Sequence, residues 1–308
     1  MSIINTMKQL LILFSMLSLL FSEGAYAQKV KENNIVFGNT IVPKEQIKES
    51  RRLAKRLISE KGDKWRAKGD QHRSYYFDEA KRTLPYRICV PDSWDGKSKL
   101  PLVLFLHGGW NDENSYLDQN DKQLVKLANE HGYLLVSPLG GDAAYGNELM
   151  LPGVFGKDEV IRKIITNITP ERRKAQIISE KDIINVLEIV MAEYPVDKKN
   201  LFLMGHSMGS GGTWYLGAKY SGYWNALAPL SGPFVTKEGY PWENLRKKPI
   251  FYTEGTKAGA SLSGSRELSR WLKENNFNFR YKEVDGDHGS MVPMVLPDIF
   301  DFLDSCRR

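Results

Sequence analysis

Cysteine is scarce in this 308-residue chain: there are two, Cys89 and Cys306. They make no CxxC pair, and the chain has no HExxH and no Cys/His cluster. The usual spacings of a structural or catalytic metal site are therefore missing, and no metal or other cofactor is implied. Internal repeats and low-complexity tracts are also absent, which excludes solenoids and arrays. Long apolar runs are missing too, apart from Leu10 to Phe21, which is shorter than the roughly 20 residues that span a bilayer. Histidine is rare as well, with five positions. That scarcity sharpens any search for a catalytic base.

The first 27 residues have their own pattern. Lys8 gives a positive start, the apolar run follows, and Ala25-Tyr26-Ala27 is a small-x-small cleavage site. This is the form of a secretory signal peptide, and no cysteine sits at the cleavage site to suggest a lipoprotein. The expected protein is exported, periplasmic or secreted, with no stable membrane insertion after signal cleavage. In such a compartment Cys89 and Cys306 could pair, tying the C-terminus to an early strand, or stay as two inert thiols. Both readings stand at this point.

The remaining chain is long enough for one large domain with its own core. The net charge is +6. Much of the basic charge lies between Lys44 and Lys68, where Ile47, Leu53, Leu57 and Ile58 recur at helical spacing. That pattern predicts an amphipathic helix with a solvated basic face. No recognition motif accompanies it, so no nucleic-acid partner is expected. We therefore divide the chain into 1–27 as signal peptide, 28–70 as a basic helical extension and 71–308 as the main domain.

Within 71–308, HRSYYF (72–77) and LPYRICVP (84–91) read as strands. From residue 100 onward strands and helices alternate. PLVLFLHGG (101–109), YLLVSPLGG (133–141) and NLFLMG (200–205) are continuous apolar runs, and WNALAPLSG, KPIFYTEG and FRYKEVDG follow. Helical periodicity covers Asp121 to His131, Glu180 to Tyr194, 210–220 and Glu267 to Asn275. Residues 142–178 read as irregular, an insertion that could form a lid. Buried strands alternating with helices predict an α/β fold, a mostly parallel sheet with helices on both faces. Functional loops in such sheets cluster at the carboxyl ends of the strands. LHGG, SPLGG, GHSMG, PLSG and TEGT all fall there.

One of these stretches carries chemistry. GHSMG (205–209) follows a strand and precedes a helix, as a nucleophile elbow requires. Ser207 would stand on the bend, and the Met208 amide at the helix N-terminus would face a developing oxyanion. A second donor is expected from the loop after the earlier strand, from Gly109 or Trp110 of HGGW. The base follows by elimination. His206 lies in the elbow, His107 in the HGGW loop, and His72 and His131 precede the serine. His288, in DGDHG after the final strand, has the position a base would take.

From about residue 84 to 304 the chain resembles α/β-hydrolases. Within them it is similar to exported esterases and predicted peptidases near feruloyl and acetylxylan esterases and polyhydroxybutyrate depolymerases. LHGGW, SPLGG, VDKKNLFLMGHSMGSGGTWYLGAKY, APLSG and DGDHG carry the resemblance. It implies an exported serine carboxylesterase acting on a small-molecule or polymer ester, of polysaccharide or plant-polymer origin. A peptidase of the same fold and a non-catalytic binding protein on a hydrolase scaffold are the alternatives. The resemblance also exposes a gap. The family's acid usually follows the strand KPIFYTEG, three residues past its glycine, and that position is Ala258. Glu254, Asp285 and Asp287 remain as acids that could orient His288. Among aromatics near the site loops, Trp214 is expected in the core, and Trp242 in KEGYPWENL is the candidate to bind substrate.

Overall fold

The computed structural model describes residues 43–59, 66–140, 145–146, 155 and 169–308. The expected signal peptide, part of the 28–70 extension and most of 142–178 lie outside the described residues. Among the described residues, eight strands form one sheet in the order β1-β2-β4-β3-β5-β6-β7-β8. β1 (Gly69–Phe77) and β2 (Arg82–Val90) form an antiparallel hairpin, and β2 pairs antiparallel with β4 (Leu134–Pro138). From β4 onward every pairing is parallel, through β3 (Leu100–Leu106), β5 (Val196–His206), β6 (Ala226–Leu230), β7 (Ile250–Gly255) and β8 (Phe279–Val284). This is the expected α/β architecture.

Alternation along each strand builds two cores. In β3, Leu102, Leu104 and Leu106 join one cluster while Val103 and Phe105 join the other. The first cluster meets α3 (Pro170–Glu193), α4 (Met208–Lys219) and α5 (Ala260–Glu274); the second meets α2 (Ser115–Glu130) and α6 (Met291–Ser305). Apolar residues on both strand faces are what a sheet covered on both sides demands. The helix expected over Asp121 to His131 loses its first residues. Asn120, Asp121 and Lys122 all have left-handed backbone angles, so the regular part begins after them.

α3 begins ten residues earlier than its apolar periodicity indicated, which makes 170–178 helix instead of irregular chain. The reason is local: Thr169 caps the helix by accepting from the Arg172 amide at 3.2 Å, and Pro170 takes the first turn, where no N–H is needed. The basic helix α1 (Pro43–Ser59) packs on α3 through Ile47, Leu53, Ala54 and Leu57. Its contact also includes a polar chain, from Gln46 Nε2 to Ser50 Oγ at 2.8 Å and from Ser50 to Asn185 Oδ1 at 2.6 Å. Its outer face is charged and exposed, as read from the sequence. A cavity of about 450 Å³ lies beside this helix, lined by Arg52, Arg56, Asp78, Glu79 and Lys181, away from the carboxyl ends of the parallel strands.

Candidate active site

The turn between β5 and α4 is sharp. Ser207 has φ 57° and ψ −115°, outside the favoured regions for a non-glycine residue. Such a residue costs on the order of 1–3 kcal/mol, so its surroundings must hold it. They do: the Ser207 amide donates to Leu230 O at 2.9 Å, and its carbonyl accepts from the Gly211 amide at 3.1 Å. The flanking glycines have a steric reason. A Cβ on Gly205 would sit 2.5 Å from Gly209 O, and one on Gly209 would sit 2.0 Å from Leu106 O. Any larger residue at either position would push the elbow off the sheet.

Two distant loops meet this serine. His288 Nε2 lies 2.8 Å from Ser207 Oγ, across 81 residues of sequence. The other ring nitrogen, Nδ1, faces no carboxylate directly. It lies 2.7 Å from the hydroxyl of Ser231, at the end of β6, and that hydroxyl donates to Glu254 Oε1 at 2.6 Å. Glu254 is fully buried near the end of β7. It accepts three further hydrogen bonds: from the Gly255 amide at 3.0 Å on Oε1, and from the Gly232 amide at 3.1 Å and Ser265 Oγ at 2.6 Å on Oε2. Burial pulls the His288 pKa below its ordinary value of 6.5, and the negative charges of Glu254 and Asp287 oppose that shift.

A second chain of hydrogen bonds ties the site loops together. The Tyr116 hydroxyl stands against the loop after β3, where a Cβ on Gly108 would lie 2.5 Å from it. Tyr116 lies 2.6 Å from His206 Nδ1, and His206 Nε2 lies 2.7 Å from His288 O. His206 donates to that carbonyl from Nε2 and so accepts from Tyr116 at Nδ1, which needs a neutral ring. Burial, with His288 nearby, pulls the His206 pKa down to about 3, in keeping with that state. This histidine therefore fastens the His288 loop to the elbow. His107 is held between Gly108 O and Leu139 O, both at 2.8 Å, and offers no nitrogen to Ser207.

Met208 opens α4 directly after the serine, and Gly109 and Trp110 lie on the loop after β3. That loop abuts the elbow: a Cβ on Gly108 would lie 3.5 Å from Ser207 Cβ. Trp110, at φ 59°, is 74% exposed. With Tyr76 and Met294, it is one of three exposed large hydrophobic side chains among the described residues, and it stands on a loop beside the serine.

Other sequence expectations are corrected. Asp285 is exposed and pairs with Lys257 at 2.8 Å, so it is not the acid behind His288. Asp287 is exposed and accepts from the Gly289 and Ser290 amides at 3.0 and 2.7 Å, shaping the turn into α6. Trp242 does not line the site. It is 7% exposed, packs among Trp214, Tyr240, Trp271 and Phe277, and donates Nε1–H to Thr236 O and Lys237 O. Cys89 and Cys306 are both free, with Cys89 buried. Sequence reasoning missed Ser231 and Tyr116. The only signal for Ser231 was PLSG, a strand-end serine before glycine, which marks a turn as readily as a site.

Residues 78–292 match the family model described as "Putative esterase". The chain belongs to this esterase family. Its fold is that of the α/β-hydrolases. A bifunctional acetylxylan esterase/xylanase of Neocallimastix patriciarum is 26% identical over 156 residues, which is 51% of this chain and 19% of that protein. The chain thus spans about a fifth of that curated relative. Among solved structures, fluorophosphonate-binding serine hydrolase F of Staphylococcus aureus superposes with a TM-score of 0.58 at 17% identity, covering 77% of this chain and 99% of the other. A CE1 ferulic acid esterase of Anaeromyces mucronatus gives 0.56 at 19% identity, covering 80% and 95%. At these identities the structural likeness speaks for the fold of this esterase.

Proposed function

We propose that this esterase is exported and cleaves carboxylic esters of polysaccharide or plant-polymer origin through an acyl-enzyme on Ser207. The observation that carries the reading is the 2.8 Å contact between Ser207 Oγ and His288 Nε2 on a strained elbow. His288 Nε2 takes the hydroxyl proton as Oγ bonds to the ester carbonyl carbon. The Met208 amide and one from Gly109 or Trp110 hold the oxyanion. The carbon–oxygen bond to the alcohol then breaks, and the alcohol leaves with the proton from Nε2. Water reverses the sequence: its proton goes to Nε2, its oxygen bonds to the acyl carbon, and Ser207 Oγ departs with the proton. The products are one acid and one alcohol.

The substrate class rests on the named relatives, an acetylxylan esterase and a ferulic acid esterase. An exposed Trp110 beside the serine suits stacking on a sugar or aryl acyl group. Export rests on the pattern of residues 1–27. Hydrolysis of p-nitrophenyl acetate, with Ser207→Ala as control, tests the chemistry. The expected outcome is turnover by the wild type and a loss of about 10⁴-fold or more in the variant. Equal rates in both would remove Ser207 from the mechanism. Release of acetate from acetylated xylan or of ferulate from feruloylated arabinoxylan then tests the substrate class.

A further inference from the structure

We infer that Ser231 is a positioning residue that carries the influence of a buried carboxylate to the base, in the order Ser207–His288–Ser231–Glu254. The inference rests on the reading of Ser207 and His288 given above. In the ordinary arrangement an acid touches the base directly. Here the expected position is Ala258, and Glu254 is one hydroxyl away from the imidazole.

The donor count fixes the direction of every bond. A carboxylate only accepts, and Ser231 has one hydroxyl proton. With that proton on Glu254 Oε1, Ser231 Oγ can only accept from His288. Nδ1 must then carry the ring proton, and Nε2 is left bare to accept from Ser207. This is the tautomer the reaction needs. No proton passes beyond Nδ1 at any step. The Ser207 proton moves to Nε2 and back, while Nδ1–H stays on the ring and the Ser231 proton stays with its oxygen. Ser231 and Glu254 therefore orient the base and stabilise its cation without being consumed.

The arrangement is held rigidly. Ser231 is completely buried, has φ 53°, and donates its amide to Thr253 O at 2.9 Å. Glu254 is locked by amides on both oxygens and by Ser265, whose hydroxyl is in turn 2.5 Å from that of Tyr252. Ser265 is a natural control: it bonds to the same carboxylate and does not touch His288.

The test measures kcat, KM and the pH profile of kcat/KM on p-nitrophenyl acetate for the wild type, Ser231→Ala, Ser265→Ala and Ser207→Ala. Ser231→Ala is expected to lower kcat about 100-fold or more, with KM within about threefold. Loss of the acceptor on Nδ1 also destabilises the imidazolium, so the acid limb should move to lower pH. Ser265→Ala should lose less than about tenfold and keep its acid limb. If Ser231→Ala fails to fold, Ser231→Gly accommodates the positive φ without strain and is expected to show the same loss. Wild-type kcat and an unmoved acid limb in a folded Ser231 variant, with Ser207→Ala inert, would overturn the relay and leave the esterase mechanism standing. Activity retained in Ser207→Ala would overturn both.

Discussion

Two buried glutamates in this molecule are treated in opposite ways. Glu180, in α3, is fully buried against Lys219, whose ammonium lies 2.7 Å away, and it accepts from the hydroxyls of Tyr215 and Tyr220 at 2.8 and 2.6 Å. Its charge is cancelled on the spot. Glu254 is equally buried, yet its four partners are two hydroxyls and two backbone amides, all neutral. Among the described residues no lysine or arginine pairs with it. Its charge is therefore solvated by dipoles and left free to act on a group one hydroxyl away. That charge raises the affinity of His288 for a proton, against the opposing effect of burial. A paired glutamate stabilises its neighbours, whereas one held only by neutral donors can stabilise a charge that forms during a reaction.

Substitutions at the two sites should separate these roles. Glu254→Gln is expected to cost about 10³-fold in kcat, since it removes the charge and can reverse the Ser231 hydroxyl. It should also cost about 1–3 kcal/mol in urea unfolding. Each oxygen receives a backbone amide, so either end of the new side chain would oppose an N–H that cannot turn. Lys219→Met should do the reverse. Leaving Glu180 unpaired is expected to cost about 3–5 kcal/mol of stability, with kcat of the folded fraction within about threefold. If Lys219→Met abolished turnover at full folding, the contrast between the sites would fail.

A smaller effect is expected at Tyr116→Phe. It leaves His206 Nδ1 without its donor and loosens the base loop by about 1 kcal/mol, which predicts a kcat roughly fivefold lower at unchanged KM. The smallest effect is in the pH profile. Activity needs neutral His288, and burial disfavours its cation, so the acid limb of wild-type kcat/KM should fall below pH 6.5. In Glu254→Gln that limb should move lower still, because an opposing negative charge is gone. A limb above 6.5 would mean that Glu254 outweighs burial.

The proposed reactive pair, Ser207 and His288, was legible because its signals are local or follow from elimination. GHSMG sits between an apolar strand and a helix, and His288 is the one histidine after it. Glu254 was legible as one of three candidate acids; Asp285 and Asp287 flank His288 in sequence but are spent on Lys257 and on a turn. Trp242 looked like a ligand platform because its stretch is polar and rich in turn residues. Packing turned it inward among five other aromatic rings. The start of α3 was readable from Thr169-Pro170, a capping signal that apolar periodicity alone overlooks.

By itself, the sequence determined the α/β alternation, the elbow, and the serine and histidine proposed here as nucleophile and base. These follow from strand burial, from backbone room at Gly205 and Gly209, and from the scarcity of histidine. Only the tertiary structure decided how the acid reaches the base. Ser231 is 57 residues from His288 and 23 from Glu254, and the three meet because β6 and β7 are neighbours in a parallel sheet whose carboxyl ends face the same side. A hydroxyl one strand away supplies the contact that Ala258 cannot. No spacing rule announces such a contact, because it depends on which strands lie side by side and on where one buried proton is directed.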